Sequence, residues 1–300
     1  MITYNDLVND IKSLGIKEGD TLFLRVSYKA IGKIEAGPKA FIDALLNVIG
    51  KEGTIILTAF PKTYNQLLRF FYKGKISSAN NLMKPITGVM PIFALKYPSA
   101  MVSKKLLFPF VVIGKHAKYL TENHTNEKDG YWLLREATEK FNSKCLRIGG
   151  ESLTGTTHLA LTEMLRKYDY YQTRSFYGLY IKENDKISWQ IKNNTTFCIK
   201  GFKKMYDQLI YPNVGKKEGK VGNGYAIVTE MKETLAKERE ILFRNPIEIL
   251  CEDSDCAICR TSFTFSDSTK GKYLINQLFR LKLGNIKFIL LYILYGRKIQ

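Results

Sequence analysis

Glu151 follows Gly149-Gly150 directly after the apolar run Lys144–Ile148, at what reads as the carboxyl end of a strand. Open α/β sheets gather catalytic groups at such ends. His158 lies two helical turns further on, in Thr156-Thr157-His158. A carboxylate or an imidazole at this place could take a proton from a nucleophile. The plainer reading of His158 is a helix-face histidine hydrogen-bonded into the domain. His116, after Gly114-Lys115, and His124, in Glu122-Asn123-His124-Thr125, both read as surface residues. Cys251, Cys256 and Cys259 form C-x4-C-x2-C. A zinc site needs a fourth donor, and neither Cys145 nor Cys198 is near in sequence. A plant-type iron–sulfur cluster needs a later cysteine, and none follows Cys259. Metal binding by these three is left open; the plainer reading is reduced, packed thiols, and no metal ligand is assigned.

The elements that must position these residues begin with Asn5–Leu14, helical by the spacing of Leu7, Ile11 and Leu14, capped by Asn5 or Asp6 and stopped by Gly15. Thr21–Leu24 reads as a short buried strand, followed by a loop of small and polar residues. An amphipathic helix with Pro38 in its first turn and a second buried strand at Gly53–Phe60 complete a βαβ unit. Residues 62–86 mix Tyr64, Phe70, Phe71 and Tyr72 with lysines, which suits a lid or substrate loop. Gly88–Leu95 opens a short helix. Strands are predicted at Phe108–Ile113, Lys144–Ile148, Ser175–Ile181 and Thr195–Ile199, with Trp189 in a polar hairpin region. Helices are predicted at about Thr156–Arg166, at Phe202–Gln208 and at Tyr225–Arg244, the last stopped by Asn245-Pro246. The fold expected is a three-layer α/β/α sandwich around a mostly parallel sheet.

Apolar residues make up 45% of the 300, enough for a sizeable core. The 46 Lys+Arg against 28 Asp+Glu leave a net charge of +18. That favours anionic partners, although a lysine-rich compositional bias explains it equally well. No helix-turn-helix, zinc-finger or single-strand-binding pattern is present, so nucleic acid is not an expected partner. The amino terminus lacks a basic start and an apolar stretch, no run reaches spanning length, and five cysteines do not make a disulfide framework. A cytoplasmic protein is expected. Residues 270–300 differ from residues 1–265: they carry seven basic residues and no acidic one, with Leu274, Ile275, Leu278, Phe279 and Leu281 at helical spacing. Residues 266–300 are thus expected to be a basic amphipathic segment able to lie on an anionic membrane surface, the alternative being a helix packed on the domain.

The run Asp20-Thr21-Leu22-Phe23-Leu24-Arg25-Val26-Ser27-Tyr28-Lys29-Ala30-Ile31-Gly32, continuing through Gly37-Pro38 to Pro61, resembles the opening of the aminoglycoside 3-N-acetyltransferase family. Ile86–Phe93, Phe110–His116, Leu146–Glu163 and Gly222–Cys251 are similar to later family segments in the same order. The resemblance implies transfer of acetyl from acetyl-coenzyme A to a sugar amine. By it, coenzyme A is placed on Ser27, Lys29, Ile31, Gly32, Thr58 and Gly88, with backbone N–H groups in Val26–Gly32 and at the helix starts near Gly37 and Gly88. The amine must lose a proton, and Glu151, with His158, is placed to accept it. The family's histidine before Phe108–Ile113 is replaced by Lys105, which makes Lys105 a third catalytic candidate. Arg25 stands where relatives end their first strand in histidine, and Thr154-Gly155 replaces Asn-Thr before His158.

The charge selects among acceptors. A protein at +18 repels polycations at long range and steers in a nucleotide- or lipid-phosphate-linked amino sugar. The reading is an amino-sugar acyltransferase of surface-polysaccharide assembly, peripheral at the inner membrane face. The alternatives are an altered relative serving as a membrane-docked partner, and an aminoglycoside 3-N-acetyltransferase of antibiotic resistance.

Overall fold

The computed structural model describes residues 1–150, 155–167, 171–173, 177–192, 198–253, 256, 259 and 296–298. In chain order the strands are β1 (Thr21–Val26), β2 (Thr54–Thr58), β3 (Tyr64–Asn65), β4 (Ile76–Ser78), β5 (Met101–Val102), β6 (Phe110–Gly114) and β7 (Lys144–Ile148). β8 (Tyr171–Thr173), β9 (Tyr177–Glu183), β10 (Lys186–Ile191), β11 (Lys216–Val221), β12 (Gly224–Glu230) and β13 (Gly296–Lys298) follow. The helices are α1 (Tyr4–Ser13), α2 (Tyr28–Ile31), α3 (Gly37–Ile49), α4 (Val89–Ala94), α5 (Ala117–Asn123), α6 (Trp132–Lys140), α7 (Thr156–Lys167), α8 (Ile199–Lys204) and α9 (Met231–Arg244).

The main sheet runs β11-β12-β7-β1-β2-β6-β5. Its centre, β7-β1-β2, is parallel, and the strands added on either side are antiparallel. Alternation along these strands produces the three layers. Phe23, Ile56, Phe110, Val112 and Cys145 point into a core shared with α6, α7, α8 and α9. Their neighbours Leu22, Leu24, Ile55, Leu57, Val111, Ile113, Leu146 and Ile148 point into a second core with α1 and α3. A sheet apolar on both faces must be covered on both, which gives the expected three-layer sandwich.

The chain leaves β1 for β2 on one side and later returns to β7 on the other. The strand order therefore reverses at β1, and the carboxyl ends of all three parallel strands meet at one edge. In open α/β sheets that is the place where a crevice forms.

Several local expectations change. The cap of α1 is Thr3, not Asn5 or Asp6: its hydroxyl accepts from Asp6 N at 3.1 Å, while the Asp6 carboxylate accepts from Thr3 N at 2.9 Å. This reciprocal pair satisfies two donors at once. Residues 225–230 are strand β12 rather than the start of a helix. Gly222-Asn223 turns β11 back on β12, and the β-branched run Ile227-Val228-Thr229 pairs with β7. The segment 62–86 contains β3, a short 3₁₀ turn at Gln66–Tyr72 and β4, which join β9 and β10 in a small second sheet. The strand expected at Thr195–Ile199 falls partly outside the described residues, and its end at Ile199 already begins α8.

His124 is buried, not a surface residue. Its Nδ1 lies 3.1 Å from Ser103 Oγ and its Nε2 3.2 Å from Asp129 O. The carbonyl can only accept, so Nε2 carries the proton. Ser103 Oγ already accepts from Phe110 N, which leaves its own proton for Nδ1. Burial, with Lys105 nearby and only partly offset by Asp129, lowers the His124 pKa from 6.5 to about 4. A base whose folded pKa is depressed stabilises the fold above its unfolded value and loses that contribution as pH falls from 6.5 toward 4. The loss is on the order of 3 kcal/mol. Urea unfolding across this window should show a steeper fall for the wild type than for His124→Gln; equal slopes would remove this role. His116 is half-buried, its ring stacked on Phe141 at 3.8 Å, rather than in an exposed turn.

Among the described residues no helix is long and apolar enough to cross a membrane. Apart from Gly296–Lys298, the basic amphipathic segment expected over residues 266–300 lies outside the described residues. At the end of that segment, β13 pairs antiparallel with β8.

Candidate active site

A cleft of about 610 Å³, counting its open mouth, lies over the carboxyl ends of β1, β2 and β7. Leu24, Arg25, Val26 and Ser27 line it from β1, Leu57 and Thr58 from β2, Thr87, Met90 and Pro91 from the start of α4, and Gly149 and Gly150 from the turn after β7. Backbone hydrogen bonds hold this rim. Ser27 N donates to Ile148 O at 2.9 Å, joining the ends of β1 and β7. The Thr87 hydroxyl donates to Thr58 O at 2.6 Å, tying the α4 start to β2.

The two glycines after β7 are required by shape. Gly149 has φ +58°, and a Cβ there would collide with the Ala30 Cβ. Gly150, at φ +68°, has open space where a side chain would stand, and its carbonyl accepts from Arg147 Nη1 at 3.3 Å. Gly88, at φ +109°, is the N-cap of α4 and offers no side chain to the first N–H groups of that helix.

Arg25 is the sole charged residue among the described lining residues. A guanidinium beside glycine backbone and an uncapped helix start suits a phosphorylated ligand more than a cation. The Ser27 hydroxyl makes no helix-capping bond and remains available to a ligand.

Of the residues placed on coenzyme A from sequence, Ser27 and Thr58 line the cleft and Gly88 adjoins Thr87 at its edge. Lys29 is exposed on α2. Ile31 is fully buried in the α1–α3 core, with its carbonyl accepting from Asn223 N at 2.9 Å. Gly32 is backed against the Asn223 side chain.

His158 is half-buried on α7. Its ring stacks on Tyr131 at 4.6 Å and meets Phe202 edge-on at 5.4 Å. Next to it, Thr157 Oγ1 donates to Glu238 Oε1 at 2.6 Å and lies 2.9 Å from Tyr206 Oη, which also bonds that carboxylate. All three are fully buried, so this network fixes the register of α7 against α9. Arg239 adds a bidentate pair to Glu163, at 2.7 and 2.8 Å, further along the same two helices.

Lys105 does not line the cleft. Its Nζ donates to Asn126 O at 3.0 Å and to Lys128 O at 2.6 Å, and burial lowers its pKa. Those bonds latch the loop before α6. Glu151 and Thr154 lie outside the described residues.

Sequence reading passed over Arg147, which props the Gly149–Gly150 turn, and Thr87, which joins two walls. It also passed over Lys192, whose Nζ lies 5.1 Å from the Phe60 ring and 5.3 Å from the Phe108 ring, with its pKa lowered by burial. An arginine inside an apolar strand was the available signal for the first. Thr87 lay within the family-like run Ile86–Phe93, and nothing in the sequence marked Lys192.

The chain is thus a three-layer α/β/α domain with an anion-suited crevice at its strand-order reversal. The sequence profile of the aminoglycoside 3-N-acetyltransferase family matches residues 23–242, so the chain belongs to that family. It is similar to aminoglycoside N(3)-acetyltransferase VII of Streptomyces paromomycinus, 27% identical over 138 residues, covering 41% of this chain and 46% of that protein. The chain thus spans about half the length of the curated relatives it matches. Its fold is similar to the crystal structure of YokD from Bacillus subtilis, with a TM-score of 0.70 at 22% identity over 81% of this chain and 94% of that one. It is also similar to AAC-IIIb solved as a binary complex with CoASH, at a TM-score of 0.64 and 16% identity, covering 81% and 97%.

Proposed function

We propose that this chain is an acetyl-coenzyme A-dependent N-acetyltransferase whose acceptor is an amine of an aminoglycoside. The observation that carries the reading is the cleft at the carboxyl ends of β1, β2 and β7, with Arg25, glycine walls and an uncapped α4 start. Family membership supports it, as do the name of the Streptomyces relative and the coenzyme complex of AAC-IIIb.

The cleft's chemistry fits the cosubstrate. Arg25 and the backbone at Gly88 suit phosphate oxygens, and Gly150 leaves room for a narrow chain to approach. When bound, acetyl-coenzyme A supplies an acetyl carbonyl activated as a thioester. The protein's part is to hold that carbonyl against the amine, place N–H donors near its oxygen, and accept the proton the amine must lose. Glu151, next in sequence to Gly150, is the base of this proposal. His158, whose ring contacts Tyr131 and Phe202, is the second catalytic candidate of this proposal. In the transfer an N–C bond forms, the C–S bond breaks, coenzyme A leaves as thiolate, and the amine proton passes through the base to it.

Relatives named for aminoglycosides weigh more than net charge, so an aminoglycoside replaces the nucleotide- or lipid-linked sugar as the leading acceptor. The +18 charge and Arg25 keep the anionic acceptor as an arm of the test. Mass spectrometry of reactions containing acetyl-coenzyme A and either sisomicin, gentamicin or a uridine-diphosphate amino sugar should show acetylated aminoglycoside. Product with the nucleotide sugar alone would reverse the acceptor assignment. No acetylated product in any reaction would remove the enzymatic reading.

A further inference from the structure

Cys198 immediately precedes α8, while Cys251, Cys256 and Cys259 follow the short 3₁₀ turn at Pro246–Ile249 after α9. The fold brings all four together: their sulfur atoms lie within 4.8 Å of one another. Cys198, Cys251 and Cys259 are buried and Cys256 is half-buried. The sequence offered three of these donors in C-x4-C-x2-C, and the chain supplies the fourth from the far side of β11, β12 and α9.

We infer that Cys198, Cys251, Cys256 and Cys259 form a tetrathiolate zinc site that staples α8 to the segment following α9. A tetrahedral zinc tetrathiolate with Zn–S near 2.3 Å has sulfur–sulfur edges of about 3.8 Å, and this cluster closes to that size with sub-ångström side-chain movements. The donor set is all sulfur, which selects zinc or iron over the hard cations.

The surroundings are those of a thiolate group. Cys251 N lies 3.4 Å from Cys259 Sγ, and the backbone N–H groups of Cys259 and Gly201 face the sulfurs of Cys256 and Cys198. Such bonds orient metal-bound sulfur and offset its charge. Four thiolates around a divalent ion leave two net negative charges. Lys200 and Lys204 lie beside the cluster, 3.2 Å from Asp253 Oδ2 and 3.3 Å from Leu250 O respectively.

With four protein ligands the site is closed and therefore structural rather than catalytic. Its effect reaches α7 and His158 through α8. Phe202 on that helix meets the His158 ring, and Tyr206 in the wider π-helical turn continuing it bonds Thr157 and Glu238. Zinc therefore holds the wall behind His158.

The test is native mass spectrometry and elemental analysis of the full-length chain, purified under reducing conditions without chelator. One zinc per chain is expected, released by acid to leave free thiols. Cobalt added to the zinc-free protein should give thiolate-to-cobalt charge-transfer absorption and tetrahedral visible bands. Cys256→Ser, at the half-buried ligand, should weaken zinc at least roughly 10²-fold in competition with a chelator. Cys145→Ser, in β7 and outside the cluster, should leave zinc content unchanged. A zinc-free chain that takes up neither zinc nor cobalt would overturn the inference, as would disulfides among the four or bound iron with sulfide. These readouts do not depend on acetyl transfer, so the zinc site and the proposed activity can fail separately.

Discussion

Turnover of acetyl-coenzyme A should fall by roughly 10²-fold or more in Glu151→Gln, with coenzyme A affinity unchanged. The amide keeps the shape of the carboxylate and cannot accept the amine's proton, so the loss belongs in kcat. Raising the pH should recover part of it, because a larger share of the acceptor is then already deprotonated. Lys105→Ala supplies the contrast. Lys105 is engaged by the carbonyls of Asn126 and Lys128, so its loss should loosen the loop before α6 while turnover stays within a few-fold of wild type. Steady-state kinetics on both variants decides between them. Full turnover in Glu151→Gln with none in a folded Lys105→Ala would move the base from Glu151 to Lys105.

The second large effect concerns binding. Ser27 lines the cleft, and its hydroxyl makes no helix-capping bond, so the fold does not depend on it. Ser27→Phe should place an aromatic ring in the cleft proposed to hold coenzyme A. Coenzyme A affinity, read by calorimetry, should weaken by about 10²-fold, equivalent to roughly 2.8 kcal/mol. The unfolding midpoint without ligand should stay close to wild type. Unchanged affinity in a folded Ser27→Phe would show that coenzyme A binds elsewhere.

Much of the frame was legible because apolar runs and glycines mark it directly. Lys144–Ile148 is strand β7 over the residues read from sequence, and the βαβ unit from Thr21 to Thr58 stands as read. The cleft's walls at Ser27 and Thr58 follow from where those strands end. What escaped the sequence depends on contacts between distant segments. His124 sits among polar neighbours in the chain, yet the fold encloses it with Ser103, Phe110 and Trp132. Tyr225–Glu230 runs without a break into α9, and its β-branched residues, the tight turn at Gly222-Asn223 and pairing with β7 make it a strand. Cys198 is separated from Cys251 by β11, β12 and α9, so spacing alone could not join them. The proposed acceptor differs from the one charge suggests for a different reason: net charge is a property of the whole surface, whereas an acceptor is chosen by the few groups it meets.

Hydrogen exchange of the intact protein with and without coenzyme A tests the central claim, the location of the cosubstrate, most directly. Slowed exchange is expected in Leu24–Ser27, at Leu57–Thr58, in the Thr87–Pro91 start of α4 and at Gly149–Gly150, the four walls of the cleft. Saturating coenzyme A that leaves these segments unchanged, or protects a different part of the chain, would contradict it.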